Sequence, residues 1–499
     1  MISVQSPILI LLIPLLSGLG ITLLAQRNKN LAFFLLVLGM VGSFSAACNT
    51  LLQVLQGSGP IHYRLGDWPP PFGIELVIDH LSAMVLFMVS GAALLTAVYS
   101  RHTVEQQTPD RIHHYYTLYA LLVSGLLGMV ATGDAFNLYV LLEISALSSY
   151  ALLARGRGLA YIATFKYIIM GTIGACFYLL GVGYLYIKTG TLNMADLSAM
   201  LSTPEMREST AIRIGFIFII IGIWVKMAFF PLHGWLPNAY SCASSTTSCL
   251  VAPLMTKVSV YIMIRLMFSV FSVDYIFKTL QWQLLVVWMA CIAIVAGSVA
   301  ALAQRDLKKM LCYIVVAEVG YMVGGVWLAN SSGFSGAVYH IMSDVMMTLC
   351  LFMVVGAVIF KTGDSSLEAM RGIFRKMPVT AAVFIVGGFA IIGIPPTCGF
   401  FSKWYLITGA IETGQWNFVV ALLFSSLVNA IIFFRIVEIG FFSKFDENGH
   451  GVHEDIVMNE APVLMLTPMV VSAASLIIIG LYTGVILQNI VQWTIPIGL

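Results

Sequence analysis

The sequence has few charged residues: they make up 10% of the 499 residues, whereas hydrophobic residues make up 59%. Because roughly a quarter of the residues in soluble domains are charged, this composition excludes an ordinary soluble globular protein. The formal net charge is only +2. The chain therefore lacks the basic excess of a nucleic-acid-binding protein, and we expect no nucleic-acid partner.

Motifs for cofactor binding and nucleophilic chemistry are also missing. The eight cysteines form no C-x-x-C pair, and most of them, such as Cys176 and Cys350, lie in apolar runs as small core residues do. The sequence has no H-E-x-x-H spacing, no phosphate-binding glycine loop and no serine nucleophile motif. We therefore expect no metal site, no redox cofactor and no catalytic site in this chain.

Continuous apolar runs of about eighteen to twenty-five residues recur along the sequence and are long enough to cross a bilayer as helices. They predict an all-α polytopic membrane protein with about fourteen transmembrane helices. The predicted spans cover residues 4–25, 31–55, 77–99, 115–131, 134–154, 160–187, 211–230, 246–271, 282–303, 310–328, 334–360, 379–411, 416–441 and 463–486.

Lysine and arginine in the short loops predict the orientation of these helices. Loops after odd-numbered spans hold Arg27, Lys29, Arg101, Arg111, Arg155, Arg157, Arg305, Lys308, Lys309, Lys361, Arg371, Arg375, Lys376 and Lys444. Loops after even-numbered spans hold only Arg64, Lys188, Arg207, Arg213 and Lys278. Since the basic loops face the cytoplasm, both termini are expected outside. The first helix, which no basic residue precedes, is expected to be retained and not cleaved as a signal peptide.

The segment Gly222–Tyr240 combines a buried charge with a helix break. Lys226 lies inside an apolar run, and Pro231, five residues later, removes a helical hydrogen bond and frees the carbonyl of Met227. A lysine beside a broken membrane helix is typical of an ion path. The alternative is a lysine near a helix end that extends to the membrane interface.

A second break resembles the first. Pro231 begins the sequence Pro-x-x-Gly-aromatic in the seventh span, and Pro396, after Pro395, begins the same pattern in the twelfth. Spans five apart run in opposite directions, so the match predicts two inverted five-helix repeats with broken helices 7 and 12. A chance match is the alternative. The expected units are residues 1–110 (helices 1–3), 111–271 (first repeat), 272–441 (second repeat) and 442–499 (C-terminal loop and helix 14).

Glu143 is the one charged residue in the run Phe136–Leu153. A lone carboxylate at mid-membrane costs about 2.5 kcal/mol or more, so Glu143 needs a proton or a partner on another helix. Lys226 is the best candidate for this partner. Because the proton affinities of an acid and a base change with their separation, such a pair is a movable proton site.

Further ionisable residues occur within the predicted spans. Lys257, Tyr261 and Arg265 form a polar stripe at four-residue spacing, in which Lys257 is deep and Arg265 is expected to reach the interface. His340 and Asp344 share one helix face. Histidine titrates near physiological pH and suits a proton relay, whereas a structural His–Asp hydrogen bond is the alternative.

The remaining charges fall into two groups. Glu318 is a further protonatable candidate, and Lys403 follows the second break. Asp79 and Lys166 begin their spans and are expected at the membrane interface. The predicted proton path is a row of titratable groups that water or hydroxyls must link, namely Glu143, Lys226, Lys257, His340, Asp344 and Lys403, with Glu318, Thr348 and His233 as accessory residues.

These residues and two segments, Gly73–Ser82 (GIELVIDHLS) and His233–Tyr240 (HGWLPNAY), resemble a known family over nearly the whole chain. The family comprises the antiporter-like subunits of respiratory complex I, membrane-bound hydrogenases and Mrp-type multisubunit cation/proton antiporters, and the chain looks most like the D-type member of the Mrp antiporters. The resemblance implies about fourteen helices, two inverted repeats and a proton path that enters from the broken helices.

The resemblance also implies roles for four residues. Glu143 and Lys226 match the family's coupled pair on the fifth and seventh helices. Lys257 matches the lysine of the central relay, and Lys403 matches the twelfth-helix lysine at the exit of the second half-channel.

One position departs from the family pattern. The pattern has a histidine, then histidine or aspartate four residues on, then a lysine four residues further, whereas this chain has His340, Asp344 and Thr348. A threonine can bridge a water chain but holds no charge at pH 7. If the second half-channel is otherwise intact, the change Thr348→Lys should be tolerated and should keep or raise proton transport. If the site has instead turned to another use, such as a non-conducting or cation-selective passage, the new buried charge should be harmful.

The resemblance implies a D-type, proton-translocating subunit of a multisubunit Na⁺/proton antiporter in a bacterial or archaeal cytoplasmic membrane. Its partners would be other membrane subunits, the lipid bilayer, protons and Na⁺. The alternatives are the pumping subunit of a redox complex, such as a membrane-bound hydrogenase or a complex I relative, and a self-sufficient transporter. Neighbouring genes for small Mrp-type subunits would favour the antiporter, and genes for nickel–iron or quinone-reductase subunits would favour the redox complex.

Overall fold

The computed structural model of this protein describes residues 2–57, 59–156, 158–442 and 458–499. Most of these residues are helical, as the apolar runs require, because a helix satisfies its own backbone hydrogen bonds inside a bilayer. The helices are α1 (Ile2–Leu24), α2 (Lys29–Gln56), α3 (His80–Gln107), α4 (Ile112–Ala131), α5 (Ala135–Leu153), α6 (Ala160–Thr189), α7 (Met194–Leu201), α8 (Pro204–Glu208), α9 (Thr210–Met227), α10 (Leu236–Cys242), α11 (Ser245–Arg265), α12 (Gln283–Leu302), α13 (Leu307–Trp327), α14 (Ser331–Thr362), α15 (Ile373–Lys376), α16 (Pro378–Ile392), α17 (Cys398–Glu412), α18 (Trp416–Phe442), α19 (Val463–Leu481) and α20 (Thr483–Asn489).

The helices confirm the predicted class of protein. Within the described ranges, 13 helices are long and apolar enough to cross a membrane, or up to 14 if the bent pair Glu368–Lys376 and Pro378–Ile392 counts as one span. The predicted twelfth span, 379–411, consists of two helices, α16 and α17. The chain is therefore an all-α polytopic membrane protein.

Other parts of the prediction are not decided by the helix positions. Arg157 and Lys444, which entered the charge comparison, and most of the predicted loop at 442–462 lie outside the described residues. The inverted repeat, the boundaries at residues 110, 271 and 441, and the orientation of the termini stay predictions.

A short β-hairpin was absent from the prediction. Strand β1 (Ile61–Arg64) pairs antiparallel with β2 (Glu75–Ile78), and Leu76 of β2 also forms a bridge with Thr132 at the end of α4. The backbone groups of this extended segment are thus satisfied by pairing. The third membrane helix begins at His80, after the N-cap Asp79, and not at residue 77 as predicted.

The chain leaves the helical conformation beside both predicted proline positions. Helix α9 ends at Met227, where Ala228 adopts a left-handed φ of 58°, and Pro231 lies in the turn that leads to α10. Helix α16 ends at Ile392, and Gly393 follows it with φ of 92°. Each break therefore begins a few residues before its proline.

Glycines bring α6 and α9 into close contact. A Cβ atom at Gly222 of α9 would lie 2.5 Å from the carbonyl oxygen of Gly174 on α6, and one at Gly181 would lie 2.6 Å from the carbonyl oxygen of Gly215. Small residues at such positions let membrane helices approach at backbone distance. This contact fixes the position of α9, and hence of Lys226, against α6.

We predict that Gly222→Val destabilises the protein by about 1–3 kcal/mol, the usual cost of overpacking a tight interface. The matched control is Gly183→Val on α6, since a Cβ atom at Gly183 would meet nothing within 4 Å. Thermal unfolding of the purified protein measures the difference. Equal unfolding temperatures for the two variants would contradict the prediction.

Candidate functional site

An acid from α5 faces a base from α9. Lys226 Nζ lies 4.0 Å from Glu143 Oε1, and the side chain of Lys226 is 7% exposed. Neither of these two atoms makes a hydrogen bond with a described residue. Helix α9 ends one residue after Lys226, and the indole N–H of Trp235 donates to the carbonyl oxygen of Val225 at 3.0 Å. The pair that the sequence predicted is thus brought together, with no direct hydrogen bond between its members.

A second pair joins α11 to α14. Lys257 Nζ lies 2.9 Å from Asp344 Oδ2, and both side chains are almost completely buried. Lys257 also donates to Thr348 Oγ1 at 3.3 Å, and Thr348 donates to Asp344 Oδ1 at 2.6 Å. Asp344 and Thr348 are one helical turn apart, so both can contact the same lysine.

A third pair joins α13 to α14. His340 Nε2 lies 2.5 Å from Glu318 Oε2, and His340 Nδ1 lies 2.9 Å from Ser402 Oγ on α17. Both members of the pair are buried. The partner of His340 is therefore Glu318 on another helix. The sequence analysis considered a hydrogen bond between His340 and Asp344 within one helix as an alternative. Instead, His340 contacts Glu318 and Asp344 contacts Lys257.

Lys403 on α17 has a different environment. Its Nζ donates to the carbonyl oxygens of Ile391 at 2.6 Å and Ile392 at 3.3 Å, and contacts Ser426 Oγ at 3.0 Å. The two carbonyls end α16, where the last turn of a helix has unsatisfied acceptors and partial negative charge. The break in the twelfth span thus supplies the oxygens that hold this ammonium.

The second and third pairs lie next to each other. The possible ligand atoms of Glu318, His340 and Asp344 are all within 4.8 Å of one another, which is a spacing that a metal ion could use. However, the ammonium of Lys257 already lies against Asp344, and a bound cation would have to displace it. We therefore describe these residues as an acid–base cluster and not as a metal centre.

His233 is separate from these contacts. It lies in the turn between α9 and α10, its ring stacks on Phe230 at a centroid distance of 5.2 Å, and its Nδ1 makes no hydrogen bond with a described residue.

Asp79 and Arg265, each expected at the membrane interface, form an ion pair with each other that the sequence analysis did not predict. Arg265 Nη1 and Nη2 donate to the two oxygens of Asp79 at 2.7 and 2.8 Å. Burial raises the pKa of the Asp79 carboxyl, but Arg265 and Ser82 outweigh burial and hold this pKa below its ordinary value. The stripe formed by Lys257, Tyr261 and Arg265 placed Arg265 on the correct face but did not identify its partner.

Lys308, counted as a loop residue, is a buried side chain of α13. Its Nζ donates to the carbonyl oxygen of Ala243 at 2.5 Å, and it lines a cavity of about 190 Å³ with Arg155, Ser244 and Asp364 among others. A hydrogen-bonded lysine that lines a polar cavity has no signal in a single sequence, because the lysine precedes an apolar run as an interfacial residue would.

Comparison with known proteins identifies the family. The family model for NADH:quinone oxidoreductase/Mrp antiporter transmembrane subunits matches residues 132–429. The chain belongs to this family. The match includes all three acid–base pairs and Lys403, and it confirms the resemblance found in the sequence.

Members of the NADH:quinone oxidoreductase/Mrp antiporter family resemble the chain over nearly its full length. The N-type subunit of the NADH-quinone oxidoreductase of Desulforudis audaxviator is 39% identical over 98% of both chains. The D-type subunit of the Na(+)/H(+) antiporter of Bacillus subtilis is 30% identical over 89% of both chains.

Two solved structures share the fold. A chain of the archaeal membrane-bound sulfane sulfur reductase superposes with a TM-score of 0.89 at 31% identity, covering 99% of this chain and 98% of that chain. A chain of the Mrp complex from Dietzia sp. superposes with a TM-score of 0.87 at 22% identity, covering 99% and 97%. These relatives come from multisubunit membrane complexes, and this chain is an antiporter-like membrane subunit of the same family.

The chain has Thr348 where the family pattern has a lysine, and the contacts of Thr348 change what we expect of a lysine at this position. The hydroxyl is a partner of both Lys257 and Asp344, so the position is already part of a charged contact. A lysine at position 348 would place a second ammonium beside Lys257, where it would repel the first.

We predict that Thr348→Val, which removes the hydroxyl at nearly constant volume, destabilises the protein by about 1–3 kcal/mol because buried polar groups lose a partner. Thr348→Ser keeps the hydroxyl and is the matched control. Thermal unfolding of the purified complex measures the effect. A valine variant as stable as the serine variant would show that the hydroxyl contributes nothing to the Lys257–Asp344 contact.

We further predict that Thr348→Lys lowers the yield of assembled complex more than Thr348→Val does. An unpaired lysine at mid-membrane costs roughly 2.5–3.5 kcal/mol, and the carboxylate of Asp344 is already occupied by Lys257. Quantifying the complex in membranes measures this difference. Normal assembly with normal or raised transport would contradict the prediction and would support the expectation drawn from the sequence.

Proposed function

We propose that this chain is the proton-translocating subunit of a multisubunit monovalent cation/proton antiporter, with Na⁺ as the exchanged cation. The observation that carries the proposal is the set of buried acid–base contacts between different helices in a fold shared with antiporter and complex I subunits. The proposed proton path comprises Glu143, Lys226, Lys257, His340, Asp344 and Lys403.

The separation of Glu143 and Lys226 suits a coupling element. At 4.0 Å the two charges attract each other but share no hydrogen bond, so a small displacement changes their interaction energy considerably in a medium of low dielectric constant. A change in this energy shifts the proton affinity of both groups. The pair would therefore couple a movement of α5 or α9 to proton uptake and release.

Lys257 would act as the central proton carrier. It is held by Asp344 and Thr348 on α14, and Asp344 is adjacent to the Glu318–His340 pair. A proton on Lys257 or Asp344 is thus within a few ångströms of the Glu318–His340 pair. From this pair it would pass to Lys403 on α17, which would release it. Water or hydroxyl groups must complete the connections between these groups.

A second candidate function rests on the relatives. The 39% identical relative is named a subunit of NADH-quinone oxidoreductase, and a 31% identical structure comes from a respiratory complex. The same pathway would then be driven by electron transfer in other subunits. The Na⁺ exchange proposal is supported by the relative that is named a Na(+)/H(+) antiporter subunit.

One experiment separates these functions. The complete complex is expressed with its neighbouring genes, and inverted membrane vesicles containing a pH-sensitive dye are prepared. Proton movement on addition of Na⁺, without any electron donor, is expected for the antiporter. Proton movement that requires an electron donor and ignores Na⁺ would overturn Na⁺ exchange and would establish the redox alternative.

We predict that Glu143→Gln and Lys226→Ala each abolish proton-coupled transport in these vesicles while the complex still assembles, because each variant leaves one member of the pair without its partner. Glu412→Gln, which alters a glutamate at the exposed end of α17, is the control. Normal transport by either variant would refute a functional pair, and loss of assembly would indicate a structural one.

We predict that Lys403→Ala impairs transport, whereas Lys403→Glu retains part of it, since a carboxyl group can also hold and release a proton. Initial rates in the same vesicles, normalised to the amount of complex, measure both effects. An unchanged rate for Lys403→Ala would mean that protons cross through the first half of the chain alone.

A further inference from the structure

We propose that the Glu318–His340 pair and Lys403 share a single proton, so that Lys403 becomes charged only when the pair gives its proton up. This inference rests on the proposed proton translocation and assigns to Glu318 a role as a proton carrier in the second half of the path.

The hydrogen bonds around His340 bear on which of its ring nitrogens carries a hydrogen. Ser402 Oγ donates its single hydrogen to the carbonyl oxygen of Gly399 at 3.0 Å. In that arrangement Ser402 accepts from His340, and the proposal assigns a hydrogen to His340 Nδ1. A neutral imidazole with a hydrogen on Nδ1 has only a lone pair on Nε2.

Glu318 faces Nε2 on the other side of the His340 ring. An imidazole lone pair and an ionised carboxylate are both acceptors and would repel each other at 2.5 Å, the distance between His340 Nε2 and Glu318 Oε2. A proton must lie between these two atoms. The pair then consists either of imidazolium and carboxylate or of neutral imidazole and carboxylic acid, and in both cases its net charge is zero.

The charges around the pair balance in both of its states. Among the described residues, the charged groups near it are Asp344 on α14, with Lys257 of α11 against it, and Lys403 on α17. Lys257 and Asp344 cancel. With the proton on the Glu318–His340 pair, a neutral Lys403 leaves the site uncharged, and once the pair has lost its proton, a charged Lys403 restores zero charge.

The surroundings of Lys403 accept both of its forms. An ammonium donates to the carbonyls of Ile391 and Ile392 and to Ser426. A neutral amine donates to the same two carbonyls and accepts from the Ser426 hydroxyl, which can act in either direction. Both sites lie beside the ring of Tyr321: Lys403 Nζ lies 5.3 Å from its centroid, and the His340 ring centroid also lies 5.3 Å from it.

The transfer is balanced in protons. The pair loses one proton and becomes a carboxylate and a neutral imidazole, while the Lys403 amine gains that proton and becomes an ammonium. The carboxylate and the imidazole lone pair then repel each other, which favours reloading of the pair by the next proton.

A double-mutant cycle with Glu318→Gln, Lys403→Gln and the double variant tests the proposal in the complete complex. Glutamine at 318 can still donate an N–H to His340 but supplies no carboxylate, so it keeps the hydrogen bond and removes the counter-charge of Lys403. We expect Glu318→Gln to reduce the transport rate roughly a hundredfold, the lower end of what a positioned proton-transfer group contributes. We also expect the double variant to be more stable in thermal unfolding than the two single effects predict by addition.

Each outcome decides the question. Additive effects on stability would overturn the shared proton, and so would normal transport by Glu318→Gln when Glu143→Gln is inactive. Normal transport by both of these variants would instead overturn the proposed proton path itself. If Glu318→Gln alone fails to assemble, the double variant is expected to assemble better, and a double variant that assembles no better would also overturn the proposal.

Discussion

A charge in the middle of a bilayer is too costly to keep without a partner, and the centre of this bundle is arranged around that constraint. Three acids inside the predicted spans each meet a base from another helix: Glu143, which is partly exposed, meets Lys226, and the buried Asp344 and Glu318 meet Lys257 and His340. Because every contact crosses between helices, the charges also hold the helices in register. The groups proposed to carry protons are therefore the same groups that make the charged centre of the bundle tolerable in a membrane.

The broken helices serve the same constraint by another route. Where α16 ends, it exposes carbonyl oxygens that no helical N–H satisfies, and two of them accept hydrogen bonds from Lys403. Helix α9 ends one residue after Lys226, but there the indole N–H of Trp235 donates a hydrogen bond to the carbonyl oxygen of Val225. Lys226 therefore has a carboxylate, Glu143, as its neighbour, whereas the direct hydrogen-bond partners of Lys403 are mainly backbone carbonyls. This difference in partners makes the two lysines chemically distinct although each lies beside a helix break.

Much of this arrangement could be predicted from the sequence, because the information lies within single helices. Apolar length identified the spans, proline and glycine located the breaks, and the isolation of Glu143 in its run pointed to a lysine elsewhere. The partner of a residue on another helix depends on helix packing, which spacing does not encode. For that reason Glu318 was not recognised as the partner of His340, and the Arg265–Asp79 contact and the β-hairpin were missed altogether. The contacts of Thr348 likewise became clear only when α11 was placed against α14.

The acid–base pairing also explains how position 348, which holds a threonine where the family pattern has a lysine, can belong to the proposed proton path. If every carrier were a lone charge, the loss of one at position 348 would leave a gap. In this chain Lys257 reaches across from α11 to Asp344 and Thr348, and Glu318 adds an acid beside His340. A proton that moves between neighbouring acids and bases changes which groups are ionised while the net charge of the cluster stays near zero, so no step requires an uncompensated charge in a medium of low dielectric constant. Alternation of acids and bases across helices, more than the number of lysines in the row, is then the property on which the proposed proton movement through this bundle depends.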